Sequence, residues 1–132
     1  MKSKHIVFDF DGVLSKYEGW QSHDSIGEPI FDMIQLVRDL HMEGHKLKLS
    51  TTRLNPFPFG LDEPPDKDVM NGYVYNKIKD WLIDRGIFDC FEEITGYKPF
   101  GEIYIDDRAL FFNGDMDEFY HNLNHRLMKD EA

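Results

Sequence analysis

Four acidic side chains stand directly after two short apolar runs: Asp9 and Asp11 in Asp9-Phe10-Asp11-Gly12-Val13-Leu14, and Asp106 and Asp107 closing Ile103-Tyr104-Ile105-Asp106-Asp107. Each preceding run is rich in β-branched and aromatic residues, the pattern of a buried strand, so the carboxylates fall where strands of a parallel sheet end. Open α/β sheets bind their ligands at such ends. Two like unit charges about 4 Å apart repel by about 4 kcal/mol at an effective dielectric of about 20, and four of them repel several-fold more unless a cation intervenes. No His or Cys accompanies these acids, and an all-oxygen donor set suits Mg²⁺ better than zinc. Mg²⁺ in turn prefers a few carboxylates, several waters and a substrate phosphate. Two further segments carry groups that such a site can use: Ser50-Thr51-Thr52-Arg53, and Lys98 before Pro99. Arg53 and Arg108 flank the acids in sequence and are placed to grip a distal anionic group of a substrate.

A lone Asp-x-Asp-Gly is ordinarily a turn, because Asp and Gly are turn residues. A calcium loop also opens with Asp-x-Asp, but its glycine belongs at the sixth position and a Glu at the twelfth. Here Gly12 is fourth and Trp20 twelfth, which excludes it.

The elements that must position these groups alternate between strand and helix. His5 to Asp9 reads as the first strand, with Gly12 permitting a tight turn after it. Residues 15–27 are polar with isolated aromatics, and predict a hairpin or flap over the strand end. Pro29 suits the first turn of a helix, which Ile30, Met33, Ile34, Val37 and Leu40 continue at helical spacing until Gly44. Lys46 to Leu49 predicts the second strand, although its alternation of Lys with Leu is unusual for a strand buried on both faces. Residues 54–72, with Pro56, Pro58, Gly60, Pro64 and Pro65, have loop composition and are placed to shape the pocket. Tyr73 to Arg85 sets Val74, Ile78, Trp81 and Leu82 on one face and stops at Gly86, a second helix. A short strand lies within Ile87 to Thr95 and another at Ile103 to Ile105. Asp115 then caps a last helix, with Glu118 three positions on, whose Phe119, Leu123 and Leu127 are expected to dock on the sheet.

The 132 residues, 41% of them hydrophobic, suit a single domain with its own core. Twenty-five acidic residues against fifteen Lys and Arg give a formal charge of −10, which repels phosphate backbones and anionic membranes, so long nucleic acid is disfavoured as a partner. The single cysteine, Cys90, has no second thiol to pair with. No window approaches the roughly 20 apolar residues of a membrane span, and the expected location is the cytoplasm. Trp20, Tyr17 and Phe57-Pro58-Phe59 read as loop packing more readily than as pocket walls, and the six histidines as structural or surface groups.

Taken together, Asp-Phe-Asp-Gly-Val-Leu closing the first strand, a Ser/Thr closing the second, a downstream Lys, and a hydrophobic strand ending Asp-Asp resemble the four motifs of the haloacid dehalogenase superfamily, mostly Mg²⁺-dependent phosphatases. The resemblance spans nearly the whole chain and implies a Rossmann-like three-layer α/β sandwich with a mainly parallel sheet. No insertion is long enough for a separate cap domain, which implies an open pocket. Carried onto this sequence, it implies Asp9 as nucleophile toward phosphorus and Asp11 as acid and then base. Thr51, with Ser50 as second choice, would bond a phosphoryl oxygen, and Lys98 would neutralise charge. Asp9, the Asp11 backbone carbonyl, Asp106 and Asp107 would hold the metal. The expected substrate is a small phosphorylated metabolite or nucleotide. The alternatives are a metal- and phosphate-binding regulatory module without turnover, and a phosphatase acting on polynucleotide ends.

Overall fold

A computed structural model of the chain describes residues 2–129. Its frame is a four-stranded sheet of β1 (His5–Asp9), β2 (Lys46–Ser50), β3 (Phe91–Thr95) and β4 (Ile103–Ile105), in the spatial order β3-β2-β1-β4 with every pair parallel. Helix α1 (Phe31–Met42) connects β1 to β2, and α3 (Tyr73–Asp84) leads from β2 toward β3. This is a small Rossmann-like α/β sandwich, as the alternation of strand and helix signals anticipates. Among the described residues no helix is long and apolar enough to cross a membrane.

The sheet explains the odd Lys-Leu alternation of β2. Leu47 and Leu49 join Ile6 and Phe8 in one buried cluster with Ile34 and Val37 of α1 and Val74, Ile78, Trp81 and Leu82 of α3. Phe10 and Trp81 meet edge to face within it, with ring centroids 5.1 Å apart. Lys48 points to the opposite face, beneath the segment that joins β3 to β4. Its ammonium donates to the Phe100 carbonyl at 2.9 Å and lies 5.6 Å from the centroid of the Phe100 ring. A Lys stem can be buried in this way when its charged end finds an acceptor.

Three local readings change. Ile30, in extended conformation, is the N-cap of α1, so Pro29 lies just outside the helix and bridges to Ser15 instead. Lys16 N–H donates to the Glu28 carbonyl and Ile30 N–H to the Leu14 carbonyl, both at 2.8 Å. These bonds close the base of a flap over residues 15–27. The irregular 54–72 stretch contains one short helix, α2 (Lys67–Met70), capped by the Asp66 carboxylate. The last helix, α4 (Met116–Met128), is capped by Asp115, which accepts from the N–H groups of Asp117 and Glu118. It is not docked on the sheet as expected: it has no buried residue, and Leu127 is 64% exposed. The three-residue β4 is itself only partly covered and offers little apolar area to receive a helix.

Candidate metal and phosphate site

Strand register assembles the site. Asp9 is paired with Ser50, Ser50 with Thr95, and Phe8 with Ile105, which puts Asp106 beside Asp9. Residues at the ends of all four strands therefore stand in one row at the carboxyl edge of the sheet, the ligand-binding edge of open α/β folds.

After Asp9 the chain turns sharply. The N–H groups of Val13, Leu14 and Ser15 all point to the Phe10 carbonyl, and Gly12 N–H donates to the Ser15 carbonyl at 2.7 Å. Gly12 has φ +85°, a left-handed conformation that side chains disfavour. Its missing Cβ also matters spatially, because an atom there would overlap the Asp107 carboxylate. Asp107 thus packs directly on the turn that follows Asp9. Asp106 accepts from the Arg108 N–H at 2.7 Å, which orients it.

Asp9, Asp106 and Asp107 each offer a carboxylate oxygen, and these oxygens lie within 4.8 Å of one another. Burial pushes the Asp9 carboxyl up from 3.8 to about 6, and the charges of Asp106, Asp107 and Asp11 push the same way. The Phe10 N–H, which donates to Asp9 at 2.8 Å, works against the rise without cancelling it. A cation among these oxygens would offset the like-charge part of that rise.

The other expected site residues fall out differently. Thr51 is buried at 2% exposure, and its Oγ1 accepts from the Arg53 N–H at 3.2 Å. Among the described residues its own hydroxyl proton meets no acceptor. Ser50 has spent its proton on the Tyr97 carbonyl, 2.8 Å away. Lys98 is exposed with its ammonium 4.9 Å from the Tyr104 ring centroid, and among the described residues it forms no ion pair with the acids. Arg108 lies over the Tyr17 ring at 5.4 Å, bridging the flap to the loop after β4.

Asp11 and Arg53 correct the sequence reading most. The Asp11 carboxylate is outside the converging group and is held instead by Arg53, through Nε at 2.8 Å and Nη2 at 3.0 Å. Arg53 Nη2 also donates to the Ser25 carbonyl at 2.8 Å, and Nη1 reaches the carbonyls of Ser22 and His23, each at 3.4 Å. All five N–H donors of the guanidinium are therefore engaged by the protein, and Arg53 has none left for a distal anionic group.

Sequence reasoning passed over a second cluster, in which His23, Asp66 and Asp68 bring ligating atoms within 4.8 Å of one another. His23 Nε2 lies 2.9 Å from Asp66 there, fastening the flap to the start of α2. No spacing in the chain announces a contact across 43 residues. A cleft of about 430 Å³ opens at the carboxyl ends of β2 and β3, where Leu54, Asn55 and Pro56 face Thr95, Gly96 and Tyr97. Residues of the 54–72 stretch line one wall of this cleft, and none of the four acids lines it.

No family model matches the chain, and no curated protein matches it. Two solved structures resemble it. A conserved protein from Bacteroides thetaiotaomicron is 21% identical with a TM-score of 0.57, covering 95% of this chain and 93% of its own. A protein from Vibrio cholerae, solved by crystallography, is 25% identical with a TM-score of 0.54, covering 98% of this chain and 99% of its own. What both share with this chain is architecture along nearly its whole length.

Proposed function

We propose that this protein is a Mg²⁺-dependent phosphomonoesterase that works through an aspartyl-phosphate on Asp9, acting on a small phosphorylated metabolite or nucleotide. The observation that carries this reading is the convergence of Asp9, Asp106 and Asp107 at the carboxyl edge of a parallel sheet. The donor set fits Mg²⁺: it is all oxygen, partly open to solvent, and burial together with the charges of the neighbouring acids raises the Asp9 carboxyl. Asp9, Asp106 and Asp107, with the backbone carbonyl of Asp11, would hold the ion. Bound there, Mg²⁺ supplies positive charge to phosphoryl oxygens and fixes their orientation.

The chain's own residues do the rest. An Asp9 oxygen attacks phosphorus, the ester P–O bond breaks, and Asp11 gives a proton to the leaving oxygen. Water then attacks the phosphorus of the Asp9 ester while Asp11 takes its proton, the bond to Asp9 breaks, and inorganic phosphate departs. Thr51 Oγ1 donates to a phosphoryl oxygen, and the cleft beside Thr95 and Tyr97 receives the leaving group. Phosphoryl transfer depends mainly on positioning and charge stabilisation, so few groups suffice. Lys98 would join by swinging off Tyr104.

The engagement of Asp11 by Arg53 is the one observation that favours a binding module without turnover. The deciding assay measures phosphate release from p-nitrophenyl phosphate and a panel of phosphorylated metabolites, with and without Mg²⁺. Turnover that requires Mg²⁺ and vanishes in Asp9→Asn supports the phosphatase. Mg²⁺-linked stabilisation with no turnover on any substrate supports the binding module.

A further inference from the structure

Arg53 is an unusual arginine for the mouth of a phosphate site: its side chain is only 4% exposed. Two of its five N–H groups grip Asp11 in a fork, and the other three hold carbonyls of the flap at Ser22, His23 and Ser25. Trp20, from the same flap, lies over the guanidinium with its ring centroid 5.0 Å away. Arg53 is fixed from its own side as well, because its N–H donates to Thr51. One buried cation thus joins three things: the Thr51 turn after β2, the flap, and the carboxylate that must reach the leaving oxygen. A planar fork of this kind cannot hold Asp11 and release it at once. Rotating Asp11 toward a leaving group breaks both bonds and leaves a buried guanidinium short of its counter-charge, a state the protein must relieve by moving the flap.

We propose that Arg53 is a positioning residue that couples the flap to Asp11, so that closure of residues 20–25 and the orientation of the Asp11 carboxylate are one equilibrium. With the flap seated, Asp11 is parked on Arg53. When the flap lifts or reseats around a substrate, Arg53 exchanges partners and Asp11 turns to the reacting phosphate. Residues 20–25 have further anchors in the His23 to Asp66 pair and in Asp24, which accepts from the Tyr73 hydroxyl and pairs with Lys77 at 3.5 Å. These keep the flap ordered without touching Asp11, so loss of the Arg53 link should loosen residues 20–25 selectively.

The catalytic half of this proposal rests on the phosphatase reading; the mechanical half does not, and the experiment separates them. Hydrogen exchange of the backbone amides of residues 20–25 is followed in the wild type, Arg53→Lys and Asp11→Asn. Lysine keeps the charge but loses the fork, and asparagine keeps the size but loses the charge. Each variant is expected to exchange these amides at least tenfold faster, with the protection of β1 and β2 unchanged. Unchanged flap exchange in both variants would overturn the coupling. In parallel, Arg53→Lys is assayed with p-nitrophenyl phosphate and Mg²⁺. A tenfold or greater fall in kcat with KM within threefold supports positioning of Asp11, whereas a raised KM at unchanged kcat means that Arg53 grips substrate and overturns it. Absence of turnover in the wild type counts against the phosphatase reading alone, and the exchange measurement still decides the coupling.

Discussion

Gly12 and Asp107 occupy each other's space: the carboxylate of Asp107 lies where a Cβ on residue 12 would stand. The left-handed backbone at Gly12 and the approach of an acid from the converging cluster are therefore one requirement met by one residue.

Replacing Gly12 by Ala should displace Asp107 and strain the turn, at a cost of about 1 kcal/mol from the backbone conformation alone. The expected result is a folded protein with Mg²⁺ affinity lowered tenfold or more. Titration calorimetry with Mg²⁺ checks it, and wild-type affinity in the variant would contradict the packing described.

Without metal, stability should depend on pH through Asp9. Its folded value of about 6 lies above the ordinary 3.8, so between those values the folded state binds more protons than the unfolded state. Stability is therefore highest at the acidic end of that window and is lost as pH rises through about 6. Asp9→Asn should flatten this dependence and raise the apo-protein's Tm at pH 7. Thermal melts from pH 4 to 8 in EDTA measure both.

Mg²⁺ should reverse that loss at neutral pH. An ion binding only the folded state at a hundred times its Kd adds about 2.7 kcal/mol. The Tm at pH 7 should rise with Mg²⁺ and fall back with EDTA, and Asp106→Asn should abolish the rise. A shift of undiminished size in Asp106→Asn would place the ion elsewhere.

Lys48→Met should destabilise the fold by about 1 to 2 kcal/mol, because it leaves the Phe100 carbonyl without its charged donor. Urea unfolding checks this, and any loss of phosphate release under the proposed function should be no greater than the loss of folded protein.

The strands and the acid cluster were legible because their signals are local. Apolar runs such as Ile6-Val7-Phe8 mark strands by themselves, and carboxylates directly after two of them must meet once the strands are neighbours in a parallel sheet. Arg53 was not legible, since its partners Asp11 and Ser25 lie 42 and 28 residues away and nothing in Thr52-Arg53-Leu54 distinguishes a buried guanidinium from an exposed one. The α4 stripe misled for a related reason. Phe119, Leu123 and Leu127 have the spacing of a docked face, but whether the neighbouring surface can receive it depends on the length of β4.

The strand order also bears on how the molecule is made. β1 leaves the ribosome first, yet one of its two neighbours, β4, follows after nearly a hundred residues of synthesis. Throughout that interval a nascent chain holds Asp9 without Asp106 and Asp107, so the three-acid cluster is complete only once β4 and the two residues after it have been made.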